Sequence, residues 1–242
     1  MRLSTAACSH IGLRRTANED SYATASELGL CLVADGMGGH KAGKVASQMA
    51  TLHALRAVEA LRGVPASPAE KLRQAVSCAN LEIHKRAQGH AALSGMGTTL
   101  VALLATPGRV MLAHVGDSRA YLVRGVRIRR LTDDHSLVGD LLRRHRISEA
   151  DARAHPHRHV LTRALGIATT AEPDLVELTP SSGDTFVLCS DGLTTHLRDF
   201  EILEHVRREP ELQKACDGLV AGANQRGGID NVTVVLVRFE RD

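Results

Sequence analysis

Short runs rich in valine and leucine, each bounded by glycine, aspartate or proline, recur along the chain at 29–34, 99–104, 110–115, 120–123, 185–189 and 232–239. Their length and composition predict strands. The stretch 232–237 is almost continuously apolar, which predicts a strand covered on both faces. Two longer segments carry helical spacing instead. The segment 44–61 places Val45, Met49 and Leu52 on one stripe, widened by Ala50, Ala54, Ala57 and Leu61. Ser67-Pro68 has the form of an N-cap followed by proline at the first helical position. The helix it opens runs to about residue 88, with Leu72, Val76, Ala79 and Ile83 in register. A third helix is expected over 209–225. The segment 134–163 breaks the pattern: it is polar, basic and rich in histidine, with a short helical patch at 137–142, and reads as a flap beside the core. Strands, then paired helices, then more strands predict an α+β fold, sheets inside and helices outside.

The chain has 242 residues and no low-complexity linker, so a single domain over 1–242 is expected. Aromatic residues make up only 2%, without tryptophan, which leaves the core to aliphatic side chains and supplies no stacking platform for single-stranded nucleic acid. A net charge of +3 is too mild to make nucleic acid or an anionic membrane the main partner. No apolar run approaches the roughly 20 residues of a membrane span, and Met1-Arg2-Leu3-Ser4 lacks a signal-peptide core. The five cysteines form no CxxC pair; Cys31 and Cys189 lie inside apolar runs and read as core residues. A reducing cytoplasm is the corresponding expectation.

The chemistry lies in acidic residues that follow apolar runs. Asp35 ends one and Asp191 another, each followed by glycine; Asp117 follows 113–116; Asp230 precedes the strand at 232; Glu19-Asp20 sits near the start. Any one Asp-Gly is ordinarily a turn. Together, if the strand ends converge, such carboxylates would repel one another in one pocket, and hard divalent cations with oxygen ligands relieve that repulsion. The stretch from Gly38 to Lys44 also matches G-x-x-x-x-G-K, most of a nucleotide-phosphate loop. Val45 stands where serine or threonine would bind magnesium, so that reading loses a ligand.

The same stretch, from Ala34 to Gly43, resembles the glycine-rich metal-binding motif of the type 2C, or PPM, protein phosphatases. The likeness recurs in order: Gly12 to Asp20, Gly97-Thr98-Thr99, His114 to Leu122, Leu131 to Ser136, Leu161 to Gly166, Ser190 to Leu193 and Asp230 to Thr233. It covers about residues 10–239, in the manner of a stand-alone bacterial member. The overall likeness extends to bacterial members that oppose a Ser/Thr kinase of type VI secretion. The resemblance implies a central β-sandwich in α-β-β-α layers and a metal-dependent protein serine/threonine phosphatase, in which metal-activated water hydrolyses phosphoserine and phosphothreonine monoesters.

By that resemblance Asp35 bridges two Mn²⁺ or Mg²⁺ ions, and the Gly36 carbonyl joins one of them. Asp191 and Asp230 hold the other, and Asp20 holds the second ion directly or through water, with Glu19 nearby. Asp117 matches the residue that helps bind a third, weaker metal, and Arg15 the arginine that grips substrate phosphate. Asn231 is expected to orient Asp230 by a hydrogen bond. Animal members carry a histidine directly after Asp-Gly as leaving-group acid; Met37 stands there, leaving a metal-bound water or His40 for that proton. Thr98 and Thr99 read as packing rather than nucleophiles. The implied partners are phosphorylated proteins and a cognate Ser/Thr kinase, with the phosphatase a monomer. Arg143-Arg144-His145-Arg146 and the histidine-rich 155–159 either meet acidic or phosphorylated segments or form a solvated basic surface. A hydrolase of small phosphate compounds and a dead phosphoprotein-binding module are the alternatives; the second predicts lost carboxylates, and all are present.

Overall fold

Leu30, Leu32 and Ala34 point to one side of their strand and Cys31 and Val33 to the other, and the two sets enter different cores. That alternation, repeated along the chain, builds the layers. A computed structural model describes residues 2–39 and 41–240. One sheet has the order β1 (Arg2–His10), β11 (Val232–Glu240), β10 (Thr185–Cys189), β7 (Arg119–Arg124), β8 (Arg127–Arg130). The other runs β2 (Asp20–Ala25), β3 (Leu30–Met37), β5 (Leu100–Thr106), β6 (Arg109–Val115), β9 (Asp174–Leu178), with the two-residue β4 (Gly97–Thr98) on the far end of β3. All the pairings are antiparallel.

Three apolar clusters separate four layers. Val101, Leu103, Phe186, Leu188, Val235 and Val237 fill the space between the sheets. The outer face of the β3 sheet is covered by α1 (Lys41–Ala60) and α2 (Pro68–Gly89). The outer face of the β11 sheet is covered by α5 (Asp191–His196), α6 (Asp199–Arg208) and α7 (Leu212–Gln225). This is the expected α-β-β-α sandwich. β11 is buried on both faces, as its composition predicts. Cys31 and Cys189 lie fully inside.

Ser67 caps α2 through a reciprocal box with Glu70, and Leu72, Val76, Ala79 and Ile83 are all buried. The stripe of α1 needs correction. The buried apolar side chains are Ala42, Ala46, Ala50, Ala54 and Val58, whereas Val45 and Met49 are only half-buried and Leu52 is exposed. Small side chains let α1 lie close to α2 and β3, so the larger apolar residues flank the contact. Leu61 falls beyond the helix end. The helix expected over 209–225 is shorter, because Pro210 separates α6 from α7. The flap stands between β8 and β9 and carries α3 (Leu137–Arg143) and α4 (Glu149–Ala154). Its two legs meet at a single Ser136–Leu161 bridge. No helix among the described residues is long and apolar enough to cross a membrane.

Candidate active site

The carboxylates predicted from strand ends come together at one edge of the sandwich, but the local structure differs from simple turns. β3 does not stop at Asp35. It runs through Gly36 and Met37, exchanging β5 for β4 as its partner, with Gly36 opposite Thr98. Asp20 opens β2 and lies directly opposite Asp35 in register. Asp191 is the first residue of α5, Asp117 follows β6, and Asp230 precedes β11 by two residues. Gly36 has to be glycine: a Cβ there would strike the Gly43 carbonyl and the backbone of Glu19. The same close approach sets the Glu19 carboxylate beside Gly43.

Asp35, Asp117, Asp191 and Asp230 line a cleft of about 460 Å³, with Arg15 on one side. Burial raises the Asp35 carboxyl well above the usual range, and the charges of Asp20, Asp191, Asp117 and Asp230 push it further. Asp117 is raised by burial and by Asp191 and Asp134. Asp20 is pushed up to about 7, chiefly by burial, against the hydrogen bonds it accepts. Those come from Ser190 and Thr233, both 2.7 Å from Oδ2. Asp20 Oδ1, equally buried, has no hydrogen-bond partner among the described residues.

A buried carboxylate oxygen without a donor, among mutually repelling oxygen-only groups, fits hard divalent cations and neither zinc nor copper. Among the described residues, no three His, Cys, Asp or Glu side chains gather tightly enough to hold an ion by themselves. Water and backbone carbonyls would complete each shell, which suits Mg²⁺ and Mn²⁺.

Neighbouring side chains fix this floor. Thr99 donates its backbone N–H to the Asp35 carbonyl at 2.9 Å, and its hydroxyl accepts the Asp35 N–H at 2.9 Å. The Thr98 hydroxyl donates to the same carbonyl at 2.8 Å. The two threonines therefore clamp the backbone of Asp35, a role the motif alone does not display. Asn231 works differently from expectation. Its backbone N–H, not its side chain, donates to Asp230 Oδ1 at 2.8 Å. The side-chain carbonyl accepts from Glu19 N–H, and the amide donates to the carbonyls of Ile11 and Ala17. Asn231 thus ties the 11–19 loop, which carries Arg15, to the loop of Asp230.

Arg15 donates to Asp230 Oδ2 at 2.6 Å with half its side chain in solvent, and that bond raises its pKa. From the flap, His159 reaches to 3.9 Å from the Asp191 carboxylate and lines the cleft. Its sequence neighbourhood marks it only as one of several histidines; the folding back of the flap is what sets it apart. Met37 lines the cleft beside Asp35. His40, considered for the leaving-group proton, lies outside the described residues.

Fold and cleft together define a class, the α-β-β-α sandwiches of the metal-dependent phosphatases. The chain belongs to the family described as Protein phosphatase 2C, whose sequence profile matches residues 9–225. It is 43% identical over 217 residues to the serine/threonine phosphatase stp of Listeria monocytogenes, covering 88% of this chain and 84% of that protein. The crystal structure of the Mycobacterium tuberculosis serine/threonine phosphatase PstP/Ppp superposes with a TM-score of 0.92 at 38% identity over the whole of both chains. A catalytic domain of PstP in complex with 2 manganese ions superposes at 0.87, with 37% identity and 99% of each chain covered. The chain is accordingly a protein serine/threonine phosphatase of a metal-dependent family.

Proposed function

We propose that the cleft hydrolyses phosphoserine and phosphothreonine in proteins with two Mn²⁺ or Mg²⁺ ions held around Asp35. The observation that carries this is the gathering of Asp35, Asp117, Asp191 and Asp230 around one cleft, with Asp20 directly opposite Asp35 in strand register. Asp35 would bridge the ions, with the Gly36 carbonyl on one of them. Asp191 and Asp230 would hold the other, Asp20 would stand behind the second ion, and Asp117 would serve a third, weaker position. When bound, the ions supply hydroxide near neutral pH and neutralise charge on the phosphoryl oxygens.

The protein's own groups do the positioning. Asp230 holds one end of the Arg15 fork, so the remaining guanidinium donors face the cleft and can take two phosphate oxygens. Threonines 98 and 99 keep the Asp35 backbone from moving as charge develops. Glu19 sits beside Gly43, close behind this floor. No nucleophile from the chain is required, consistent with both threonine hydroxyls being engaged with Asp35.

Phosphorylated proteins are the substrates; the reading adds a Ser/Thr kinase as its opposing partner, a monomeric single-domain phosphatase and a cytoplasmic site of action. Five free cysteines support the last point. A type VI secretion role draws support from PppA of Pseudomonas aeruginosa, described as a key regulatory component of that system, with a TM-score of 0.84 at 35% identity. The Listeria phosphatase, at 43%, keeps that role from being singled out.

Phosphate release from a phosphothreonine peptide, with and without Mn²⁺, tests the reading. Mn²⁺-dependent release is expected, lost in Asp35→Asn and in Asp191→Asn by more than roughly 100-fold, beyond the usual cost of losing a group that merely orients a ligand. A folded wild-type protein with no release at any Mn²⁺ concentration would overturn it.

A further inference from the structure

His135 sits where three parts of the molecule meet. Its backbone N–H donates to the Gly116 carbonyl at 2.8 Å, and its Nδ1 accepts the Gly116 N–H at 3.1 Å. Both polar groups of Gly116 are therefore held by one residue. Gly116 has φ +109°, and a Cβ there would run into Thr99, so the turn takes glycine, whose backbone freedom leaves its conformation to be held by these two bonds. The next residue is Asp117, and Ser118 after it meets the Thr99 hydroxyl at 2.7 Å.

On its other side His135 receives both legs of the flap. Its carbonyl accepts from Thr162 N–H at 2.9 Å, and Leu137 N–H donates to Val160 one turn further out. With Nδ1 accepting from Gly116, the neutral ring carries its proton on Nε2, which faces Asp174 Oδ2 at 3.1 Å; Arg163 Nη1, itself only a donor, lies 2.8 Å from the same nitrogen and is not hydrogen-bonded to it in this tautomer. Arg163 bonds Asp174 Oδ1 at 2.7 Å and so closes the group at the start of β9. His114 lies against the ring with centroids 4.5 Å apart. The ring is nearly enclosed, at 3% exposure. What it holds is the residue beside Asp117.

We propose that His135 is a positioning residue that fixes Asp117 through Gly116 and makes the flap base and the Asp117 loop one mechanical unit. The proposal rests on the reading of Asp117 as the carboxylate of a third, weaker cation position. Removing the Nδ1 acceptor frees the Gly116 N–H and lets the Asp117 carboxylate leave its place. Removing the Nε2 contact loosens only the link to β9.

Asparagine and glutamine separate the two links. In His135→Asn the side-chain oxygen replaces Nδ1, while in His135→Gln the side chain reaches toward Asp174 and the Gly116 acceptor is gone. Mn²⁺ binding to the full chain is followed by the loss of the free-ion electron paramagnetic resonance signal, alongside kcat and KM on a phosphothreonine peptide. The glutamine variant is expected to weaken the weakest Mn²⁺ site about tenfold and to lower kcat with KM unchanged. The asparagine variant should bind Mn²⁺ as the wild type does, and Asp117→Asn,His135→Gln should be no worse than Asp117→Asn alone. Wild-type Mn²⁺ binding in His135→Gln, or independent losses in the double variant, overturns the proposal. If Asp117→Asn alone binds Mn²⁺ like the wild type, the reading of Asp117 fails and the proposal with it, a result visible without any change at His135. Should His135→Gln not fold, the asparagine variant decides: a tenfold loss of Mn²⁺ affinity there overturns the assignment.

Discussion

The acidic floor of the cleft and the basic flap above it are built on opposite principles. The floor residues sit within or next to strands and helices, and several are tied down from another element. Asp35 is clamped by Thr98 and Thr99, Asp20 by Ser190 and Thr233, and the Asp230 loop by Asn231. The flap has two short helices, one bridge between its legs and mostly exposed side chains. A site that crowds repelling carboxylates needs enforcement, because each charge raises the cost of the others. A surface that meets varied protein substrates needs charge and reach instead. The contrast predicts that chemistry is set by the floor and that any discrimination among protein substrates falls to the flap.

The sharpest way to break this contrast is to free the floor without touching an acidic group. Asn231→Ala leaves the Glu19 N–H and the carbonyls of Ile11 and Ala17 without their partner. A loss of about 2–3 kcal/mol in urea unfolding is expected from three such unmet, part-buried groups. Activity should fall about 10- to 100-fold as Arg15 loses its fixed place. Stability and kcat/KM at wild-type levels would mean the loops are held by something other than Asn231.

The sequence shows the floor more clearly than the supports. Asp35, Asp117, Asp191 and Asp230 are legible because each interrupts an apolar run, a local signal. The sandwich is legible for the same reason wherever Val and Leu fill a buried strand. β1 and β2 escape that reading: Arg2–His10 and Asp20–Ala25 mix small and polar residues, and β1 and β2 are edge strands, with little of either run fully buried. The face of α1 is misread by side-chain size, since close packing selects alanine. Asn231 and His159 act through partners 212 and 32 residues away in the chain, as at Glu19 N–H and Asp191. No spacing rule reaches that far; only the fold brings them together.

A second test concerns acid. His114 is buried, neither of its ring nitrogens has a partner among the described residues, and burial lowers its pKa to about 3 from 6.5. The sign follows from proton uptake: below 6.5 the unfolded chain binds a proton that the folded chain refuses. His114 therefore costs nothing above pH 6.5, and stability is lost as pH falls from 6.5 toward 3. At pH 5 the loss amounts to about 2 kcal/mol. His114→Leu should flatten that part of the urea-midpoint profile between pH 7 and 5 while leaving pH 7 stability equal or higher. An unchanged profile would place the acid sensitivity in the floor carboxylates or the flap instead.

The smallest effect is expected at the flap, and it separates the two regions most directly. Arg143 is not available for substrate in the way its run suggests. It bonds the Asp134 carbonyl at 2.8 Å and pairs with Asp140, so it belongs to the flap's own base. Arg144 and Arg146 are exposed on the same run. Arg144→Ala,Arg146→Ala removes charge without removing the base contact. If these arginines meet acidic or phosphorylated segments, KM on a phosphoprotein should rise about three- to tenfold, worth roughly 1 kcal/mol as expected of exposed ion pairs. The effect should shrink with added salt. Turnover of p-nitrophenyl phosphate, which carries no protein segment for Arg144 and Arg146 to meet, should stay unchanged. Equal losses on both substrates would tie the flap to the chemistry, whereas no loss on either would leave the basic run as solvated surface.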